Sequence, residues 1–187
     1  MGGGDPPIHQ RGIEMGQYYR FYLDNGKEQR VLCPFDYENT LKLMEHSWVG
    51  NGYCNAVVKT LQEMGESKVY HVGDYAEDLV SEDIYNACWG EDEHLYKDAE
   101  IPAREGQVFI VCEERSEYIR YCFGAPEGKW YVNTFALLTA LGNQRGGGDY
   151  YGTNEDMVGL WAGQTLLVTE EEPVGLQKIH GWTFRED

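Results

Sequence analysis

Cys54 and His71 are the residues whose types and spacing come nearest to a reaction centre. Cys54 sits where a helix is expected to begin. There the helix dipole and the unpaired N–H groups of the first turn lower a thiol pKa. His71 falls in the strand expected next, and Asp74 follows three residues later. Thiol hydrolases place a cysteine at a helix N-terminus and a histidine on a strand, with a third group orienting the base. The chain length permits this, because about ten helical residues descend ~15 Å and about four strand residues climb back ~13 Å. Strand alternation gives His71 two directions, one of them away from the helix. The plainer reading, a buried small thiol and a hydrogen-bonded imidazole, is the favoured one. Cys54, His71 and Asp74 stand as the catalytic alternative.

Arg145-Gly146-Gly147-Gly148-Asp149 is a glycine-rich loop. Its backbone N–H groups could cradle an anion, with Arg145 adding charge. It lacks the Lys-Ser/Thr of a P-loop and the strand-first context of a dinucleotide fold, and Asp149 and Asp156 would repel phosphate. A turning or protein-contact loop is expected, with nucleotide binding as an alternative. Carboxylates run through Glu91, Asp92, Glu93, Asp98 and Glu100, and again through Glu170, Glu171 and Glu172. Paired acids hold Mg²⁺ or Ca²⁺, but no EF-hand spacing is present, and such runs are usually solvated surface. No metal and no cofactor are expected. With Trp89, Tyr96, Tyr150 and Tyr151 interleaved, the same carboxylates can imitate a phosphate backbone and fit a basic groove. Aromatic anchors ringed by charge suit an interface.

These side chains need a scaffold, and 187 residues suffice for one domain with one core. Hydrophobic residues at 42% and aromatics at 13% can fill it. No apolar run is long enough for a membrane helix. Five cysteines at irregular spacing, with no CxxC and no signal peptide, read as free thiols in a cytoplasmic protein. The formal net charge of −17 repels nucleic acid and anionic membranes and draws basic proteins. Residues 1–14, Gly/Pro-rich and polar, read as a disordered leader or an expression remnant, with Met15 as a natural start.

The elements expected after Met15 are a hairpin over 17–33 turned by Asn25-Gly26, a helix from Asp36 to about His46, and a helix from Tyr53 to Met64 ended by Gly65. A strand over 68–72 and a helix over 82–89 capped by Ser81 follow. Next come a buried strand over 107–112 and a second hairpin from 117–123 and 129–132. A helix from Asn133 or Thr134 to Leu141, a helix from Asn154 to Trp161, and strands over 165–168 and 177–184 complete the chain. Short echoes pair 17–28 with 117–129, 55–61 with 135–141, and 65–72 with 163–169. Their common order fits a duplicated strand–strand–helix–strand unit.

Three features together resemble a family of small bacterial and phage proteins of unassigned activity. They are Met15-Gly16-Gln17-Tyr18-Tyr19, the Arg145–Asp149 loop, and Val158-Gly159-Leu160-Trp161-Ala162-Gly163. Val72-Gly73-Asp74-Tyr75 resembles them too. In that family the GDY segment directly follows the WAG segment, whereas here the two lie in different halves. The resemblance implies kinship and no chemistry.

The expectation is a single α+β domain over 15–187, a mainly antiparallel sheet of about six to eight strands with three to five helices. The function expected is non-catalytic: an acidic module that docks on a basic protein surface and contacts neither nucleic acid nor membrane directly. A phage-encoded, anti-CRISPR-type inhibitor of an RNA-guided nuclease or similar host enzyme, acting in the host cytoplasm, would fit. The contact residues expected are Glu91, Asp92, Glu93, Tyr96, Asp98, Arg145, Asp149, Tyr150, Tyr151, Glu170, Glu171 and Glu172. The alternative is a small enzyme, either a thiol hydrolase or a nucleotide-binding protein.

Overall fold

The computed structural model describes residues 16–90, 106–124 and 131–180. Its first hairpin is as expected. β1 (Tyr19–Asp24) pairs antiparallel with β2 (Gln29–Leu32). Gly26 takes the positive φ that the turn requires, and the Asn25 Oδ1 accepts from the N–H groups of Lys27 and Glu28.

The helix expected over 36–46 is replaced by two short pieces. A 3-10 turn spans Pro34–Tyr37, and a single helical turn, α1, spans Leu43–His46. Glu38 enters the left-handed region and Asn39 N–H closes back on the Pro34 carbonyl, so the first piece ends before a helix can propagate. Lys42 is extended, and the Glu45 carboxylate receives its N–H to start the second.

α2 (Gly52–Met64) begins one residue before the expected start. Asn51 caps it, its Oδ1 accepting from the N–H groups of Tyr53 and Cys54. β3 (Ser67–Gly73) and α3 (Glu82–Trp89, capped by Ser81) match expectation. β4 (Gln107–Cys112) pairs with β5 (Glu117–Cys122) across a 3-10 turn. β5 therefore takes β4 as a hairpin partner; of the strand expected over 129–132, Val132 makes an isolated bridge to Trp48, and residues 125–130 lie outside the described residues.

α4 (Thr134–Leu138) stops short of Leu141. The Thr139 hydroxyl donates back to the carbonyls of Phe135 and Ala136. Ala140–Leu141 then leaves as β6, parallel to His71–Val72 of β3. The helix expected over 154–161 is a 3-10 turn at Glu155–Met157, because Asn154 is left-handed and its side chain caps nothing. The chain instead runs along the end of α4, with Gly159 N–H and Trp161 N–H donating to the Leu137 and Leu138 carbonyls. β7 (Thr165–Thr169) and β8 (Gln177–Lys178) follow. The expected 177–184 strand is described only in part, since 181–187 lie outside the described residues.

Among the described residues the fold is a single-domain α+β arrangement: eight strands in one mainly antiparallel sheet, ordered β2-β1-β3-β7-β4-β5-β8 with β6 beside β3. The order reads as β2-β1-β3 facing β7-β4-β5. In that arrangement β3 answers β7, the pair that one of the sequence echoes joins. β1 answers β4, so the echo of β1 with β5 does not coincide with equivalent places in the sheet.

Strand alternation sorts the residues between two faces. Phe21, Leu23, Val69, Ile110, Ile119 and Leu166 meet α2 and α4 in the main core. On the opposite face α3 covers Tyr22 and Val72. No described helix is long and apolar enough to cross a membrane.

Candidate functional site

Two groups of residues converge, one inside the core and one at the surface where separate segments meet.

The inner group contains Cys54 and His71, arranged differently from a thiol–imidazole couple. Cys54 is fully buried in the first turn of α2, and its Sγ donates to the His46 backbone carbonyl at 3.2 Å. Burial pushes its thiol well up, which opposes the thiolate a nucleophile requires. His71 does point toward the helices, but both ring nitrogens are engaged elsewhere. Its Nδ1 lies 3.1 Å from the Ala136 carbonyl and its Nε2 lies 3.0 Å from the Nε2 of His46. Asp74 is two residues beyond the β3–β6 pairing and receives the Tyr18 N–H. The triad is therefore not assembled.

His46 is the partner that sequence reasoning missed. It stands three residues after Leu43 on the same turn of α1, at the spacing that carries a side chain inward. That spacing was a legible signal. Its Nδ1 meets the Thr40 carbonyl at 2.9 Å. Tyr53 stands edge-on to the His46 ring, and Phe21 stacks on His71 with ring centroids 3.9 Å apart. Burial lowers the His46 pKa to about 4 and holds His71 well below its ordinary value, with the neighbouring His46 adding to the second effect.

The outer group gathers three segments distant in sequence, those of Gln17, Gly73-Asp74 and Arg145–Asp149. The Gln17 side chain is fully buried, and Gly73, Gly142 and Gly146 each pack so closely that a Cβ there would overlap it. The Tyr19 hydroxyl donates to the Gln17 Oε1. Asp74 and Tyr18 are joined twice, Tyr18 N–H to the Asp74 carboxylate and Asp74 N–H to the Tyr18 carbonyl. Burial raises the Asp74 and Asp149 carboxyls.

The Arg145–Asp149 loop lies over this cluster in a form different from an open anion cradle. The Asp149 Oδ2 accepts from the N–H groups of Arg145 and Gly146, so the loop's own carboxylate takes the donors an anion would use. The Arg145 guanidinium is committed to the Tyr75 carbonyl and the Asp78 carboxylate. Among the described residues no set of three metal-ligating side chains exists.

The expected contact residues divide sharply. Tyr151 is 65% exposed, whereas Tyr150 is buried with its hydroxyl on the Thr153 carbonyl, and Asp149 is buried too. Those two support the surface from below. Glu172 pairs with Lys178 and accepts from the Tyr118 hydroxyl, while Glu170 and Glu171 are exposed. Glu91, Asp92, Glu93, Tyr96 and Asp98 lie outside the described residues.

Tyr18, 39% exposed, and Leu79, 46% exposed, are two further exposed large side chains. The stretch from Asp74 to Asp83 holds five carboxylates (Asp74, Glu77, Asp78, Glu82 and Asp83) and no Lys or Arg. Sequence reasoning passed over it because its acids are dispersed among apolar residues.

No family model matches this chain, and the searches of curated proteins and of solved structures returned no match.

Proposed function

We propose that this chain is a non-catalytic, acidic binding module that docks on a basic protein surface, with nucleic-acid enzymes as the partner class. The docking face consists of Tyr18, the 74–83 stretch with Leu79, the Arg145–Asp149 loop and Tyr151. One observation carries the reading: exposed Tyr18 is hydrogen-bonded to Asp74, and exposed Leu79 lies in the acidic 74–83 stretch that Arg145 ties to the glycine loop preceding exposed Tyr151, while the thiol and imidazoles suited to catalysis are sealed in the core. Aromatic anchors that are already held in place lose little entropy on binding. The surrounding carboxylates speed encounter with a positive surface and make it sensitive to salt. The net charge of −17 supports the same partner chemistry.

The test is affinity capture from bacterial lysate at low and high ionic strength, using wild type and the double variant Tyr18→Ala/Tyr151→Ala, with mass spectrometry of the captured protein. The expected result is a basic nucleic-acid enzyme held by wild type, released by salt and at least tenfold depleted with the variant. Equal capture by both proteins, or capture indifferent to salt, would falsify the reading.

A further inference from the structure

The contacts of His46 and His71 impose a proton count. Each Nδ1 faces a backbone carbonyl, Thr40 for His46 and Ala136 for His71, and a carbonyl oxygen can only accept. Both Nδ1 atoms must therefore carry hydrogen. The two Nε2 atoms lie 3.0 Å apart, a hydrogen-bond distance that also requires a proton between them. Three contacts require three protons, and two neutral imidazoles hold two. Two bare Nε2 lone pairs consequently aim at one point.

A metal ion fits that point poorly. With metal–nitrogen bonds of about 2.0–2.1 Å, nitrogens 3.0 Å apart would subtend close to a right angle, and no set of three ligating side chains exists among the described residues. A proton fits it.

We propose that His46 and His71 form a one-proton site, in which the folded core takes up a single proton from acidic solvent as Nε2–H···Nε2 and refuses a second. The first proton completes all three hydrogen bonds. A second would set two N–H groups against each other, which breaks the central contact. The surroundings shape the uptake. Tyr19 approaches from β1, and Tyr53 and Cys54 from α2. Tyr19, Tyr53 and Cys54 are all raised by burial and so stay neutral, and Glu45 on α1 supplies the carboxylate charge that favours a cation at His46. The stacked Phe21 ring offers its π face to the His71 imidazole. The site also touches the surface loops, since His46 ends the segment in which Leu41 O receives Tyr19 N–H and Met44 N–H donates to Gly148 O.

The test is a pH titration of the full chain labelled with ¹⁵N-histidine, following the ring nitrogens of His46 and His71 while near-ultraviolet circular dichroism reports folding. The expected result is that both rings move together at one midpoint below pH 6.5, with one proton taken up per pair while the chain is folded. A His71→Gln variant supplies an uncharged N–H to His46, and the shared uptake should disappear. Separate midpoints for the two rings, uptake of two protons by the folded chain, or unfolding before either ring moves would each overturn the proposal. The wild-type titration decides the matter by itself if the variant does not fold.

Discussion

Gln17 and Gly73 are packed so closely that the glycine Cα faces the Gln17 amide with no space for a side chain between them. This contact joins the start of β1 to the end of β3, whose Cα register pairs Tyr19 with Gly73. Gly73→Ala should therefore force the buried amide out of place and destabilise the fold by about 1–3 kcal/mol, the usual cost of overpacking. Gly52→Ala is the control. It opens α2 with nothing near the added Cβ and no positive φ, so it should be neutral or stabilise by up to ~1 kcal/mol. Urea unfolding of both variants measures the contrast, and equal midpoints would refute it.

The Tyr53 hydroxyl accepts from the Phe21 N–H and donates to the Leu32 carbonyl, stitching β1 to β2 from within the core. Tyr53→Phe leaves both backbone groups buried and unpaired. A loss of about 1–3 kcal/mol is expected, with increased amide hydrogen exchange at Phe21. Unchanged exchange there would show that the strands pair without the hydroxyl.

Acid should weaken the fold through the two core histidines. Their folded pKa values lie below the ordinary 6.5, so the unfolded chain binds more protons as the pH falls. Their contribution is fully present above pH 6.5 and is lost as the pH drops toward about 4, the folded value of His46. For His46 this amounts to about 3 kcal/mol. Asp74 and Asp149 act oppositely, because burial raises their carboxyls and the folded chain then binds these protons more readily than the unfolded one. Unfolding free energies at pH 7.5 and pH 5 give the slope, and His46→Gln should flatten it. A slope identical in that variant would place the acid sensitivity elsewhere.

Thiol chemistry offers a fourth check. Cys54, Cys88 and Cys112 are buried and Cys122 is half-buried. A thiol reagent should modify Cys122 first and reach Cys54 only on unfolding. Cys54→Ala should cost about 1 kcal/mol as a small cavity and leave partner capture intact. Loss of function with the fold preserved would revive a catalytic thiol.

Much of the fold was legible in the chain itself. The Asn25-Gly26 turn, the Ser81 cap, Gly65 as the stop of α2 and the apolar run of β4 are local signals, because each side chain acts on backbone within a few residues of itself. The acidic character, the free thiols and the α+β class followed from composition and pattern. Tertiary structure decided what depends on residues distant in sequence. Asn133–Leu141 has a helical pattern throughout, yet β3 captures Ala140–Leu141 as a strand, since inter-strand hydrogen bonds with His71 and Val72 compete with one more helical turn. Tyr150 and Tyr151 are chemically alike neighbours, and only the packing buries one and exposes the other. His46 lies 25 residues before His71, and their meeting depends on a strand, a helix and a loop enclosing the same small volume. Local pattern reports which way a side chain faces; what it faces is set by the whole chain closing on one core.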